Sequence, residues 1–189
     1  MADTVQTELM TTPPQILGPF YPFMHTPVAT GDLTRGGKAR GPVLYLSGRI
    51  LNKKGEPVAG AKVEIWQANS SGRYAHPNDD TGEPLDPDFD GFAVLTTGAD
   101  GRYAFKTVRP KAYRVSADRW RPAHIHFSVT GKTEQLVTQM YFEGEEYNKT
   151  DAWLNSTTRT GALTVDPKPA VGKEPGALEA TFDIVIMKG

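Results

Sequence analysis

The sequence predicts an all-β protein, an antiparallel β-sandwich with an extended N-terminal arm. Short runs of apolar, β-branched and aromatic residues recur from position 43 onward, and Gly- and Pro-containing turns separate them. The 189 residues include 19 Gly and 15 Pro, with 38% hydrophobic residues. This balance favours frequent turns over long helices, and the length is sufficient for one domain with a substantial core.

Each predicted strand is an apolar run that ends at a turn signal. The runs are "VLYLSGRIL" (43–51), "AKVEIWQA" (61–68), "AVLTT" (93–97), "RYAFKTV" (102–108), "AHIHFSVTG" (123–131), "QLVTQMYFEG" (135–144) and "ALEATFDIVIMKG" (177–189). The "GADG" turn at 98–101 predicts that the strands on either side of it form a hairpin. Helical structure is expected only as a turn or two around 145–155.

Two long segments lack strand character. Residues 1–40 form the predicted arm, whose "TTPPQILGPFYPFMHTP" stretch is too Pro-rich for a helix but carries three aromatic residues. We therefore expect the arm to lie extended against the core or a partner subunit, and residues 41–189 to form the sandwich domain. Residues 69–92 form a loop long enough to suggest a functional role.

Composition narrows the possible functions. The formal net charge of −1 provides no basic field, so we expect neither nucleic acid nor an anionic membrane as a partner. The chain has no Cys, which excludes disulfides and thiolate chemistry. The first residues do not resemble a signal peptide and no segment is apolar enough to span a bilayer, so we expect a cytoplasmic protein.

The stretch "RWRPAHIHF" (119–127) carries the first candidate site. His124 and His126 stand at i and i+2 of a predicted strand, so both side chains point to the same face. They are either neighbours on a solvated sheet or two ligands of one metal ion. The segment that follows, "FSVTG", contains no carboxylate ligand. A three-histidine zinc site with His76 remains open at this point.

Tyrosine provides further candidate ligands. Tyr74 lies in the long loop and Tyr113 in "RPKAYRV", shortly before the histidine strand. A phenolate is a hard, strongly donating anion that suits Fe(III). Two phenolates and two neutral imidazoles would carry a formal charge of 2−, which nearly balances a ferric ion. The alternative for each Tyr is a half-buried aromatic ring with its hydroxyl group in water.

The motifs together resemble one enzyme family. The segments "LGPFYP", "VEIWQANSSGRYAHPND", "PLDPDFDGF", "DGRYAFKTVRPKAY", "WRPAHIHFSVTG" and "TQMYFEG" are similar to the intradiol ring-cleavage dioxygenases, in particular to the catalytic, β-type chains of the protocatechuate-cleaving members. The resemblance implies a β-sandwich with a non-haem Fe(III) between its layers. It also implies that Tyr74, Tyr113, His124 and His126 bind the iron.

The resemblance further implies an activity and residue roles. The family cleaves an ortho-diphenol of the protocatechuate, catechol or hydroxyquinol type with O2, to a cis,cis-muconate-type diacid. Tyr113 is expected to leave the metal and take a substrate proton. Arg121 matches an arginine that stabilises negative charge on the ring, and Gln139 matches a glutamine lining the pocket. We also expect Asp118 to orient Arg121 or a histidine.

Substrate and assembly remain open at the sequence level. Arg73 is a candidate cation for a substrate carboxylate, and Val115 stands where an aromatic residue is usual. The chain carries all four ligand positions, so we expect a homo-oligomer, or alternatively a hetero-oligomer with an α-type chain. Two other functions stay possible: a prealbumin-like β-sandwich that only binds, suggested by "LSGRILNKKGEPVAGAKVEIWQ", and a zinc hydrolase.

Overall fold

The computed structural model describes residues 7–188 as two five-stranded β-sheets and a separate two-stranded ribbon. The strands are β1 (Val43–Leu51), β2 (Lys62–Gln67), β3 (Phe92–Thr96), β4 (Arg102–Val108), β5 (Tyr113–Ser116), β6 (Arg119–Arg121), β7 (His124–Thr130), β8 (Gln135–Phe142), β9 (Thr164–Val165), β10 (Lys168–Pro169), β11 (Leu178–Thr181) and β12 (Ile184–Val185). The all-β prediction is therefore confirmed.

The two sheets have different strand orders. The first has the order β10-β11-β1-β12, with β4 also paired to β1, and the second has the order β3-β2-β7-β8-β9. Long neighbours are antiparallel, as predicted, including β1–β4, β2–β3, β2–β7 and β7–β8. The short C-terminal strands add parallel pairs, because β11 and β12 run parallel to β1, and β9 runs parallel to β8.

The predicted hairpin of β3 and β4 is wrong. β3 pairs with β2 in the second sheet, and β4 pairs with β1 in the first, so the turn between them crosses from one sheet to the other. Both strands carry buried side chains, such as Ala93 on β3 and Phe105 on β4. Crossing between the sheets lets each strand bury its apolar face in the shared core. Gly101, with φ of 70°, supplies the left-handed backbone that this turn requires.

The alternation of side chains along β7 decides where the candidate site lies. Ile125, Phe127 and Val129 are fully buried in the core between the sheets. His124 and His126 therefore point to the opposite face of the second sheet. The resemblance implies a site between the two layers, but the structure places these histidines on the outer face of one sheet. They are nevertheless buried, because other segments cover them.

The arm is one of these covering segments. Its described part, from residue 7 onward, donates backbone hydrogen bonds to the sandwich, from Leu9 to Lys53 and from Thr12 to Val185. Gln15 likewise donates to the Val137 carbonyl. The arm is thus extended against the core, as expected. Residues 1–6 lie outside the described residues, and the boundary between positions 40 and 41 stays a prediction.

Helical structure is limited to short 3-10 segments. Two of them, Glu146–Lys149 and Leu154–Ser156, fall in the segment where the sequence predicts a turn or two, and a third covers Thr160–Ala162. Within residues 7–188, no helix has the length and apolar character needed to cross a bilayer. Asp151 lies between the first two segments and is buried.

Gly48 marks the point where β1 changes partner from β11 to β12. The chain passes so close to β1 here that a Cβ at Gly48 would overlap the Phe182 carbonyl oxygen. The same oxygen accepts a hydrogen bond from the buried Tyr103 hydroxyl, and Phe182 N donates to Ser47 O at 2.8 Å. The close approach therefore requires glycine.

Gly48→Ala should lower the free energy of unfolding by more than about 2 kcal/mol, because the new methyl group forces backbone apart in a packed region. Urea denaturation monitored by tryptophan fluorescence measures the change. The control is Gly161→Ala, where a Cβ meets no atom within 4 Å and the backbone φ is not left-handed. Equal stabilities of the two variants would contradict this account of the strand switch.

Candidate active site

The two histidines of β7 form the centre of the site. Their Nε2 atoms lie 3.1 Å apart. His124 Nδ1 lies 2.7 Å from the Pro122 carbonyl oxygen, and because a carbonyl only accepts, this nitrogen carries a proton and donates it. Trp66, opposite His126 on β2, stacks on the His126 ring at 4.8 Å with an interplanar angle of 11°. Both imidazoles are therefore held in fixed orientations.

Burial keeps both imidazoles neutral. It lowers the pKa of His124 well below the usual value, and the charges of Arg121 and His126 lower this pKa further. Burial also lowers the pKa of His126 well below its usual value, with a further contribution from Arg121. With Nδ1 protonated, a neutral His124 has a bare Nε2 whose lone pair faces into the site. His126 Nδ1 faces the backbone of Ile16 without a regular hydrogen bond.

Both candidate tyrosines converge on this pair. Asp79 Oδ2 accepts a hydrogen bond of 2.7 Å from the Tyr74 backbone N–H, which fixes that part of the long loop. The Tyr74 hydroxyl oxygen lies 3.4 Å from His124 Nε2. Tyr113, at the start of β5, has its ring 5.5 Å from that of Tyr74 and 5.6 Å from that of His124. All four predicted ligand positions are thus brought together.

The environment of the tyrosines favours the neutral phenol unless a cation is close. Burial raises the pKa of Tyr74 well above its usual value, and the neighbouring Tyr113 raises it further. Burial also raises the pKa of Tyr113, but Arg121 acts in the opposite direction. Ionisation of both phenols in one buried site therefore requires positive charge beyond that of Arg121.

The arm covers this cluster. The Phe20 ring lies 4.6 Å from the Tyr74 ring and 6.3 Å from the Tyr113 ring, measured between centroids. Gly18 has a left-handed φ of 77°, and a Cβ there would lie 3.1 Å from His126 Cε1. Glycine therefore lets the arm backbone approach the imidazole closely. The cover over the site comes from the same chain that provides the four central residues.

Arg121 is buried beside the cluster and is bound on several sides. Its Nε donates to Asp151 Oδ2 at 3.0 Å, and its Nη2 donates to Gln139 Oε1 and to the Tyr141 hydroxyl, both at 2.9 Å. Its Nη1 lies 3.1 Å from His124 Nε2. Burial alone would lower the pKa of Arg121, but Tyr113 and Asp151 more than offset that effect and raise it.

The side chains that bind Arg121 include two that the sequence did not predict, and they do not include Asp118. Asp118, expected to orient Arg121, lies in the exposed turn between β5 and β6, so that expectation is wrong. The carboxylate that binds Arg121 is instead that of Asp151, whose side chain is 1% exposed. Sequence reasoning missed Asp151, and Tyr141 as well. Asp151 is 30 residues from Arg121, and no spacing rule connects the two positions; the alternation along β8 could have placed Tyr141 on the same face as Gln139.

Gln139 connects Arg121 to the arm. Its Oε1 accepts hydrogen bonds from Arg121 Nη2 and from the Tyr141 hydroxyl, at 2.9 and 2.8 Å. Its Nε2 donates to the Ile16 carbonyl at 2.8 Å. The amide is fully buried and is not among the residues that line the adjacent cavity. Gln139 therefore contacts Arg121 from behind the cavity wall, and its expected role at the pocket stays a prediction.

A cavity of about 300 Å³ opens beside Tyr113 and Arg121. The arm provides Ile16, Pro19 and Phe20 to its wall, and the opposite side is formed by Asp80, Thr81, Arg114, Val115, Arg119 and Trp153. Cavities of this size are at the lower end of those that bind small molecules. A single substituted aromatic ring is thus a ligand of suitable size.

Other sequence candidates lie elsewhere. His76 accepts a hydrogen bond from the Asn78 backbone at Nδ1, and its ring lies against Phe20. Arg73 forms an ion pair with Asp79 and donates to the Glu83 carbonyl, so it does not line the cavity. In the part of the chain that the structure describes, no group of three or more His, Asp or Glu could hold a metal ion. The three-histidine zinc site with His76 is therefore not formed.

The donors that do converge could hold a ferric ion. Ligands at about 2.0–2.2 Å from one ion lie within roughly 4 Å of each other, and the measured separations of 3.1 and 3.4 Å satisfy this limit. The His124 nitrogen has a bare lone pair, and the two phenols become anions when they lose their protons. Hard oxygen anions combined with imidazoles suit Fe(III) better than a soft metal.

Comparisons with known proteins agree with this chemistry. A family model described as Dioxygenase matches residues 16–188. The chain is 38% identical to the protocatechuate 3,4-dioxygenase beta chain of Burkholderia cepacia over 163 residues, covering 83% of this chain and 69% of that one. It is 34% identical to hydroxyquinol 1,2-dioxygenase of Rhizobium sp. (strain MTP-10005), covering 72% of this chain and 50% of that protein.

Solved structures show the same fold. The catechol 1,2-dioxygenase of Acinetobacter sp. ADP1 is 32% identical, with a TM-score of 0.76, and the match covers 94% of this chain and 63% of that one. The dioxygenase domain of a carbohydrate-binding fusion protein from Streptomyces sp. SirexAA-E is 28% identical, with a TM-score of 0.75. This match covers 95% of this chain and 100% of that one. The chain thus spans about half to two thirds of the length of several of these relatives.

The fold and the site therefore define a dioxygenase, and the chain belongs to the Dioxygenase family that its residues 16–188 match. Within that family its relatives are intradiol ring-cleaving enzymes that act on protocatechuate, hydroxyquinol and catechol. This family uses non-haem iron.

Proposed function

We propose that the protein is a non-haem Fe(III) intradiol dioxygenase that cleaves an ortho-diphenol with O2 to a cis,cis-muconate-type diacid. The observation that carries the proposal is the convergence of two neutral imidazoles and two buried tyrosines beside a ring-sized cavity with Arg121 in its wall. A β-sandwich that only binds does not account for this convergence. A zinc hydrolase is disfavoured because phenolates suit Fe(III) better.

The ligand roles follow from the donor atoms. Tyr74, Tyr113, His124 and His126 would hold the ferric ion, with the phenolates supplying negative charge and the imidazoles neutral donors. When bound, Fe(III) would withdraw electron density from a chelated diphenolate and make its ring reactive toward O2. Trp66 stacks on His126, and the Pro122 carbonyl accepts a hydrogen bond from His124 Nδ1, so each imidazole keeps its ring plane.

Residues that line the cavity would accept a substrate proton and stabilise negative charge on the ring. Tyr113 lines the cavity, and burial raises its pKa, so its phenolate would be a strong base for a substrate hydroxyl proton. Arg121 lines the same cavity and would stabilise negative charge that develops on the ring. The apolar side chains of Ile16 and Phe20 would exclude water from the reacting carbons.

The position of the arm favours a homo-oligomer over a complex with an α-type chain. Pro19 and Phe20 of the same chain close the cavity, so that wall requires no α-type partner chain. We therefore propose a homo-oligomer and treat a hetero-oligomer as the alternative, which co-purification from the source cells would reveal. A location in the cytoplasm stays a prediction, which cell fractionation would test.

The charges at the cavity support one class of substrate. Three cations, Arg114, Arg119 and Arg121, line it, against one anion, Asp80. Asp151 already binds Arg121, and Arg114 donates to the carbonyls of its own turn. Arg119 contacts the Trp153 ring, with its guanidinium carbon 5.3 Å from the ring centroid. We propose that Arg119 attracts an anionic ring substituent such as the carboxylate of protocatechuate.

Iron binding should depend on the β7 histidines. His124→Ala and His126→Ala should each weaken iron binding by more than about 100-fold, beyond the 10- to 100-fold typical of groups that only support a ligand. Metal analysis and the visible absorption of purified protein measure the loss. The control is His25→Ala, an exposed histidine outside the set. Full iron content and colour in either β7 variant would contradict the ligand assignment.

Iron binding should also release protons. Both phenols are neutral in the metal-free site because burial raises their pKa, so about two protons should leave for each ion bound. Titration of apoprotein with ferric iron in weakly buffered solution measures this number. Affinity should rise with pH, and the histidines should not oppose binding in mild acid because their pKa values are already low. Proton release near zero would argue against tyrosinate ligands.

The substrate proposal predicts a selective loss. Arg119→Gln should lower kcat/KM for protocatechuate by about five- to tenfold, in line with one charge-assisted contact, and change that for catechol less than about twofold. Oxygen uptake with both substrates measures the two values. Lys111→Gln, a nearby cation outside this cavity, serves as the control. Equal losses for both substrates would show that Arg119 does not select the substituent.

A further inference from the structure

Arg121 presents one nitrogen to the reaction site and is anchored by the others. Nε and Nη2 are bound by Asp151, Gln139 and Tyr141. Nη1 lies 3.1 Å from His124 Nε2, the atom proposed as an iron ligand. Once that lone pair binds a metal, it cannot also accept the Nη1 proton. Nη1 is then the nitrogen available to a substrate at the centre.

The segment between the first two 3-10 helices makes two of the contacts that fix this arrangement. Asp151 binds Nε at 3.0 Å through Oδ2 and lies 3.4 Å from Nη2 through Oδ1. Its Oδ1 also accepts the Leu154 backbone N–H at 2.8 Å, which ties the carboxylate to the start of the second 3-10 helix. Trp153 places its ring centroid 4.5 Å from the Arg121 guanidinium carbon.

We propose that Asp151 and Trp153 are positioning residues that hold the Arg121 guanidinium with Nη1 directed at the substrate. Asp151 fixes the rotation of the planar group in its own plane, because it occupies the Nε edge. Trp153 covers one face of that plane through a cation–π contact. The inference rests on the proposed function, since it concerns the charge that the ring acquires during cleavage.

The burial of the pair makes its role sensitive to substitution. The Arg121 and Asp151 side chains are 4% and 1% exposed, so water cannot replace either partner. A misplaced guanidinium would act chiefly on the transition state, where ring charge is greatest, and less on substrate binding. The expected signature is a lower kcat with little change in KM.

The central experiment compares Asp151→Asn with Glu145→Gln in iron-loaded protein. Asparagine keeps one acceptor but removes the charge, and kcat should fall roughly 10- to 100-fold. Iron content and the visible band of the resting protein should stay as in the wild type, because no proposed ligand changes. Glu145→Gln removes a neighbouring ion pair, with Arg109 at 2.7 Å, and should leave kcat within about twofold of the wild type.

A double-variant cycle separates positioning from general support. If Asp151 acts through Arg121, the Arg121→Gln/Asp151→Asn double variant should have the same kcat as Arg121→Gln alone. Losses that multiply would overturn the proposal, as would a kcat for Asp151→Asn equal to that of the wild type. Parallel loss of iron in Asp151→Asn would also overturn it, because the residue would then support the metal site as a whole.

Trp153 provides a test that leaves every charge in place, should Asp151→Asn fail to fold. Trp153→Leu should lower kcat by about three- to tenfold, and Trp153→Phe should restore most of it, because phenylalanine keeps a π face toward Arg121. Equal kcat in the leucine, phenylalanine and wild-type proteins would overturn the proposal. A wild-type protein without ring cleavage would instead refute the proposed function itself.

Discussion

The site depends on two imidazole nitrogens held 3.1 Å apart inside the protein, at a distance where protons on both would repel. Burial keeps both rings neutral, and the Pro122 carbonyl accepts a hydrogen bond from the Nδ1–H group of His124. The bare His124 Nε2 is therefore placed beside two buried phenols that can ionise only next to positive charge. In such a cluster, a highly charged cation would bind the imidazole lone pairs and stabilise the ionised phenols.

Three parts of the fold position and cover this cluster: strand β7, the arm and the segment that follows β8. Strand β7 gives one face to the core between the sheets and the other to the histidines. The arm covers the cluster with Phe20 and approaches His126 through Gly18. The segment that follows β8 supplies Asp151, so a buried arginine is held against the site without being left as an unpaired charge.

Local patterns predicted much of this from the sequence. The i, i+2 spacing placed His124 and His126 on one face, and turn signals located the long strands. The patterns failed where non-local pairing decides the outcome. The turn before Gly101 crosses between sheets because each flanking strand has its own apolar face to bury. Asp151 was missed and Asp118 wrongly preferred, because proximity along the chain does not determine which carboxylate reaches a buried arginine.

The resonance Raman spectrum of iron-loaded wild-type protein, excited in the visible band, tests the central claim most directly. Ring vibrations of coordinated tyrosinate should be enhanced, in two sets for the two environments of Tyr74 and Tyr113. Substituting Tyr74 by Phe should remove one set and leave the other. A spectrum of the iron-loaded protein without tyrosinate vibrations would contradict the account, because it would mean that the converging phenols do not bind the metal.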